Sequence, residues 1–244
     1  MSAIGFDASG WTQAALTGLQ EAAPDRVRLS STLGPLEVSA HAEGVLRLRI
    51  GEGNAADYGL LAEPNTSGRL DCRSRTAPIR LDAGALGLDL EADPFRFTLT
   101  LHDAFLLESI TDRHFTGRLR LPGLARGPGG WLVSLALRSG EPVYGLGEKF
   151  GTLDHRGQLI LSRNEDALGV NTALSYKNIP FAWSPGGWGV FVNTPAQVAH
   201  AVGYAPWSHR SYALMVEDEA LDLFLIAGKT PSDQIGRASC RERV

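Results

Sequence analysis

From Arg26 onward, apolar residues recur at every second position. Leu46, Leu48 and Ile50 alternate with Arg47 and Arg49, and Leu86, Leu88 and Leu90 alternate with Gly87 and Asp89. Phe95, Phe97, Leu99 and Leu101 likewise alternate with Arg96, Thr98 and Thr100. A period of two sends successive side chains to opposite faces, so each segment predicts a half-buried strand. Residues 131–137 form a longer apolar run, and residues 189–192 and 221–226 form shorter ones. Residues 12–22 break the pattern. Ala14, Ala15, Leu19 and Ala22 have helix-like spacing before Pro24, which predicts one or two amphipathic turns. A second helix start lies at residues 230–235, capped at Thr230 or Ser232.

Turn residues separate the apolar runs. Asp93-Pro94, Pro122-Gly123, Gly127-Pro128-Gly129-Gly130 and Ser184-Pro185-Gly186-Gly187 all fall between them. Many strands, few short helices and short connections predict an all-β fold, an antiparallel β-sandwich or related barrel. Residues 26–235 read as the folded domain and residues 1–25 as an N-terminal extension. Within the domain, residues 151–175 are polar and Gly-bearing, with one short strand candidate at 158–161. Long loops of this kind are uncommon unless they carry function. Residues 236–244 change character, with three Arg in nine positions and no apolar period. They read as a tail foreign to the fold, the alternative being an ordinary solvated basic tail.

Length and composition narrow the function classes. A chain of 244 residues fits one large β domain or two small ones. With 23 Lys plus Arg against 27 Asp plus Glu, no broad electropositive field exists and a nucleic-acid partner is not expected. Cys72 and Cys240 are too few for a disulfide framework or a four-thiolate metal site, so reduced thiols are expected. The N-terminus has no basic and apolar leader, and no window approaches 18 apolar residues. These features predict a soluble, cytoplasmic protein without membrane contact.

Several constellations are tested by their chemistry. Gly145-Leu146-Gly147-Glu148-Lys149-Phe150 lacks the third glycine of a dinucleotide fingerprint, so no cofactor is expected, and Glu148 with Lys149 predicts a local ion pair at a strand end. The six histidines show no ligand spacing, which gives no metal site. No Gly-x-Ser-x-Gly elbow occurs and Ser208-His209 are adjacent, which gives no nucleophilic triad. Glu148, Asp154, Glu165 and Asp166 do gather in or beside the long loop, with Asn164, Arg156, Tyr176 and Lys177. Such mixtures of donors, acceptors and aromatic faces suit sugar hydroxyls, although adjacent acids in a turn are commonly only solvated. Glycoside hydrolysis needs carboxylates about 5 to 9 Å apart across one bond, and sequence neighbours do not supply that.

Four ordered segments carry a resemblance. Tyr144-Gly145-Leu146-Gly147-Glu148-Lys149-Phe150, Asn164-Glu165-Asp166, Tyr176-Lys177-Asn178-Ile179-Pro180-Phe181 and Gly187-Trp188-Gly189-Val190-Phe191-Val192-Asn193-Thr194-Pro195 resemble the N-terminal β-sandwich domain of glycoside hydrolase family 31. This family comprises the α-glucosidases and α-xylosidases, and the nearest look is the bacterial α-xylosidase type. The match covers residues 141–235, while residues 26–140 agree in strand-rich character. The resemblance implies a galactose-mutarotase-like sandwich that packs on a catalytic (β/α)8 barrel and lends a loop to its active-site rim. The catalytic aspartates then belong to the barrel and no catalytic residue to this chain. A barrel needs about 250 residues, and nine follow Ile235, so the chain reads as a family member truncated before its barrel and inactive alone.

The same resemblance maps the family's Asn-x-Asp loop onto Asn164 and Asp166, with Asp166 the leading contact to a sugar hydroxyl and Tyr176 an aromatic at the same rim. Residues 177–181 look like the strand that anchors the loop. Glu165 departs from relatives with Arg there, which leaves leaving-group preference open. Trp183 and Trp188 suit packing better than sugar stacking. The implied partners are an α-linked oligosaccharide or glycoside and the barrel, with an oligomer allowed in the full-length protein. Two other readings stay open: a stand-alone carbohydrate-binding module without catalysis, and a mutarotase-like epimerase using His155 with Glu148 or Asp154.

Overall fold

The computed structural model describes residues 6–51, 68–166 and 175–239. In chain order the strands begin with β1 Thr12–Gln13, β2 Leu16–Ala22, β3 Arg26–Ser31, β4 Gly34–Ala42 and β5 Val45–Ile50. Next come β6 Asp71–Cys72, β7 Ile79–Ala83, β8 Leu86–Glu91, β9 Arg96–Leu101 and β10 Ala104–Glu108. They continue with β11 Asp112–Arg113, β12 Leu119–Leu121, β13 Leu124–Gly127, β14 Gly130–Ala136, β15 Tyr144–Gly145 and β16 Gln158–Ser162. The last are β17 Phe181–Ser184, β18 Trp188–Val192, β19 Val198–Val202, β20 Ser211–Val216 and β21 Leu221–Ala227, followed by α1 Pro231–Ser239. Among the described residues no helix is long and apolar enough to cross a membrane.

The strands build an all-β sandwich. An eight-stranded sheet, β15-β17-β18-β21-β5-β4-β3-β2, lines one side of the core, and a six-stranded sheet, β1-β13-β14-β20-β19-β16, lines the other. A five-stranded sheet, β10-β9-β8-β7-β6, adds its apolar face to the same core. The register explains the period of two. Val27, Val38, Leu48, Leu223 and Val192 stand opposite one another across five neighbouring strands, and each is almost fully buried. Burying each such side chain stabilises the fold by about 1.5–3 kcal/mol. Arg47 and Arg49 take the opposite face of the sheet and keep their charged ends in reach of partners.

Residues 12–22 hold strands β1 and β2, not a helix. The N–H groups of Ala14 and Leu16 donate to the Leu124 and Ala92 carbonyls, and Ala14 C=O accepts from Phe95, so neighbouring strands claim the backbone. Strand β2 carries two register shifts against β3, between Leu16 and Gly18 and between Leu19 and Glu21. Each bulge advances the side-chain phase by one residue, which turns a period of two into spacing that imitates a helix.

Helix α1 starts where the sequence places it. Thr230 Oγ1 accepts from Asp233 N at 3.2 Å and Asp233 Oδ2 accepts from Thr230 N at 3.0 Å, a reciprocal cap. The helix runs through Gly236, where the sequence pattern predicts a break from the fold. Arg237 donates to the Ala227 carbonyl, and Ala238 packs against Phe224 and Ile226. A glycine inside a helix costs about 1 kcal/mol relative to alanine and does not by itself end it. Residues 240–244 lie outside the described residues.

Candidate substrate-rim site

The four sequence motifs adjoin one another, the fourth through the pairing of Phe191 with Phe181. Gly145, Leu146 and Gly147 all have positive φ, of 107, 65 and 76°. This left-handed run turns the chain so that Leu146 N donates to Phe181 O at 2.8 Å and Glu148 N to Lys177 O at 2.9 Å. A Cβ on Gly147 would lie 2.1 Å from the Lys177 carbonyl, so the close approach requires glycine. Leu146 holds a conformation unfavourable for a side chain because that side chain is fully buried.

Lys149 then reaches sideways. Its ammonium donates to Leu161 O at 3.1 Å and to Asn178 Oδ1. No ion pair joins it to the exposed Glu148, contrary to the expected local pair, because Lys149 points into the domain and Glu148 does not. Burial pushes the Lys149 pKa down. Asn178 N donates to Asn164 Oδ1 at 2.9 Å, and Asn178 Nδ2 faces Arg163 O at 2.7 Å, Ser175 O at 2.8 Å and Asn164 Oδ1 at 3.1 Å. A parallel bridge between Asn164 and Ser175, with Glu165 N donating to Ser175 O at 3.1 Å, closes the loop base.

The residues predicted to touch sugar share this neighbourhood but not one role. Asn164 is exposed, yet its side-chain oxygen is taken by Asn178 and serves the loop base. Asp166 is exposed, and Tyr176 is 56 % exposed, each one residue C-terminal to a partner of the Glu165–Ser175 bond, Asp166 inside the loop and Tyr176 just beyond it. Residues 167–174 of the predicted loop lie outside the described residues. Glu165 pairs with Arg163 at 2.8 Å, which offsets its charge at the rim. The anchoring expected of residues 177–181 falls largely to Asn178, and β17 begins only at Phe181. Beside the loop base lies a groove of about 470 Å³ lined by Asn164, Asn178, Phe181, Phe191, Phe224 and Ile235.

Other candidates are structural. His155 is buried and its Nε2 lies 3.0 Å from Gly145 O, which makes Nε2 the protonated nitrogen. Asp154 Oδ1 accepts from Val143 N and Arg156 N at 3.2 and 3.0 Å. His155 and Asp154 therefore support the turn beneath the first motif, while Glu148, the other carboxylate expected beside His155, is exposed. Trp188 is buried, donating from Nε1 to Glu141 Oε1 at 2.8 Å, and Trp183 packs on Tyr144 with ring centres 4.9 Å apart. Both serve packing.

Known proteins share this fold. The sequence model of the glycosyl hydrolase 31 N-terminal galactose mutarotase-like domain matches residues 35–199. The chain belongs to that family through this domain, and the match begins about a hundred residues before the first motif. An α-xylosidase of Emericella nidulans is 36 % identical over 181 residues, covering 70 % of this chain and 22 % of the relative. An α-xylosidase of Lactiplantibacillus pentosus is 33 % identical over 103 residues, covering 42 % and 13 %. The chain thus spans less than a quarter of either relative. A GH31 dextranase of Flavobacterium johnsoniae complexed with glucose superimposes with a TM-score of 0.79 at 17 % identity, covering 94 % of this chain and 28 % of that one. A soil-metagenome GH31 α-xylosidase complexed with xylose gives 0.71 at 19 %, covering 93 % and 34 %. At these identities the structural likeness is one of fold.

Proposed function

We propose that this chain is the N-terminal domain of a retaining α-glycosidase, an α-xylosidase or α-glucosidase, that supports the catalytic barrel and lends the 164–176 rim to its sugar-binding site. The observation that carries the reading is the convergence of the first three motifs on a rim where Asp166 and Tyr176 stand exposed. An apolar flank supports the barrel-facing part. Leu159 and Leu161 share the outward face of β16, the outer strand of its sheet, and Phe150 and Leu153 are exposed beside them. The Lys149–Leu161 and Thr152–Gln158 contacts hold those segments together. Exposed apolar side chains gathered in one place mark a surface that a partner covers. The substrate is an α-linked oligosaccharide or glycoside, bound at the rim by Asp166 to a hydroxyl and by Tyr176 to a sugar face, while bond cleavage belongs to the barrel. We place the protein in the cytoplasm, consistent with the free thiol of Cys72.

The test is a chimera. Residues 6–239, which include β1, β2 and all of α1, replace the corresponding domain of the Emericella nidulans α-xylosidase, and hydrolysis of 4-nitrophenyl α-D-xylopyranoside is followed. Turnover is expected, with Asp166→Ala raising KM by about tenfold, the effect of losing one hydrogen bond of about 1.4 kcal/mol to substrate. A folded chimera without turnover, or an Asp166→Ala variant with unchanged kinetics, overturns the reading.

A further inference from the structure

Asn164 and Ser175 are joined by one isolated parallel bridge, with Glu165 N donating to Ser175 O. This tie lies next to exposed residues, where water competes and a hydrogen bond contributes only about 0.5–1.5 kcal/mol. Side chains outside the loop reinforce it.

Asn178 is the centre of this reinforcement. Its carboxamide carries two N–H donors on one side and one carbonyl on the other. The donor side faces Arg163 O, Ser175 O and Asn164 Oδ1, so it binds both ends of the loop. The carbonyl side faces Lys149, a donor only, and the ammonium therefore fixes which way the amide points. A flipped amide would set N–H groups against the ammonium and its oxygen against two carbonyls. Lys149 is itself held by Leu161 O in β16. It is half-buried, where a charge-assisted bond is stronger than at the surface. Three chain segments, at 149, 163–164 and 175–178, thus share one polar junction.

We infer that Lys149 and Asn178 are positioning residues that hold Asp166 and Tyr176 at the rim, Asn178 by clamping both loop ends and Lys149 by orienting the Asn178 amide. The inference rests on the rim function proposed above. Asn178→Asp separates positioning from general support. It replaces both N–H donors with an oxygen that the Arg163 and Ser175 carbonyls repel, yet it gives Lys149 a full carboxylate partner.

Amide hydrogen exchange of the chain without sugar reads the clamp. In Asn178→Asp and Lys149→Met, exchange at residues 164–166 and 175–178 should rise by about tenfold or more while exchange in β20 and β21 stays at the wild-type rate. Lys149→Arg, which keeps a cationic donor, should return the rim amides to within about threefold of wild type. Unchanged rim exchange in Asn178→Asp, or exchange rising equally throughout the sandwich, overturns the inference. A titration with methyl α-D-xylopyranoside followed at the Tyr176 ring reads the sugar-facing role separately. Wild type should bind, and Asn178→Asp should bind about tenfold more weakly. No wild-type response overturns the sugar-facing role, while the exchange pattern alone decides the clamp.

Discussion

His200 and Tyr212 face each other diagonally across β19 and β20, with His200 Nδ1 2.7 Å from the Tyr212 phenol oxygen and both side chains fully buried. His200 Nε2 has no hydrogen-bond partner among the described residues. A second proton on this imidazole would place a charge inside the buried sheet. Burial first, then the nearby Lys149 and His155, push the His200 pKa down to about 3. The buried phenol of Tyr212 is pushed up by the same desolvation.

This arrangement predicts how stability responds to acid. The unfolded chain protonates His200 near pH 6.5, whereas the folded chain resists protonation until about pH 3. The unfolded state then binds more protons throughout that window, so stability falls as pH drops from 6.5 toward 3, by up to about 1.4 kcal/mol per pH unit. Urea unfolding of wild type and His200→Asn at pH 7.5 and pH 5 isolates the contribution. Wild type should lose about 2 kcal/mol more than the variant over that interval. Parallel losses in the two proteins would contradict the burial account.

Glu141 is a buried carboxylate satisfied by neutral donors. Its Oε1 accepts from Ser184 Oγ and Trp188 Nε1, each at 2.8 Å, and its Oε2 accepts from Arg138 N at 2.9 Å. Glu141→Ala strands two buried donors and should destabilise the domain by about 3 kcal/mol. Trp188→Phe keeps the ring and removes one donor, at a cost of about 1–2 kcal/mol. Because the two side chains share one bond, the double variant should cost about 1 kcal/mol less than the two single costs added together. Simple additivity in denaturant midpoints would show that the indole N–H contributes nothing.

Two glycines with similar dihedrals separate strain from steric overlap. Gly84 has φ +62° with open space where a Cβ would sit, whereas Gly147 has φ +76° with the Lys177 carbonyl in the way. Gly84→Ala should cost about 1 kcal/mol, the price of a left-handed alanine alone. Gly147→Ala should cost about 3 kcal/mol or more, because the first and third motifs must also separate. Thermal unfolding of the two variants measures the difference, and equal losses would remove the close-approach argument.

The sequence displays most of this sandwich and little of the junction at its rim. Strands such as β5 and β8 are plain because no bulge interrupts them, and α1 is plain because its cap lies within four residues. Strand β2 is hidden because its bulges shift the side-chain phase twice. The motifs locate the rim, but Asn164 looks like a sugar ligand until Asn178, 14 residues away, is seen to occupy its oxygen. Lys149 looks like a partner for adjacent Glu148. It turns instead to a backbone carbonyl and an amide 29 residues on, a choice set by which side of the turn is buried.

Asp222 and Arg47 offer the sharpest test of what holds the eight-stranded sheet. Arg47 Nε and Nη2 donate to Asp222 Oδ1 and Oδ2 at 2.7 and 2.5 Å, Asn193 Nδ2 adds a bond to Oδ2 at 2.9 Å, and the guanidinium lies over the Phe224 ring. Both charged side chains are mostly shielded, 18 and 8 % exposed. Removing one partner leaves the other charge poorly solvated, so Asp222→Leu should destabilise by about 3 kcal/mol and Arg47→Met by a similar amount. Replacing both removes the desolvation penalty along with the attraction. The double variant should therefore be more stable than either single one and close to wild type, apart from the lost Asn193 bond. If the double variant is instead the least stable of the three in urea, the pair contributes net stability that its desolvation does not offset.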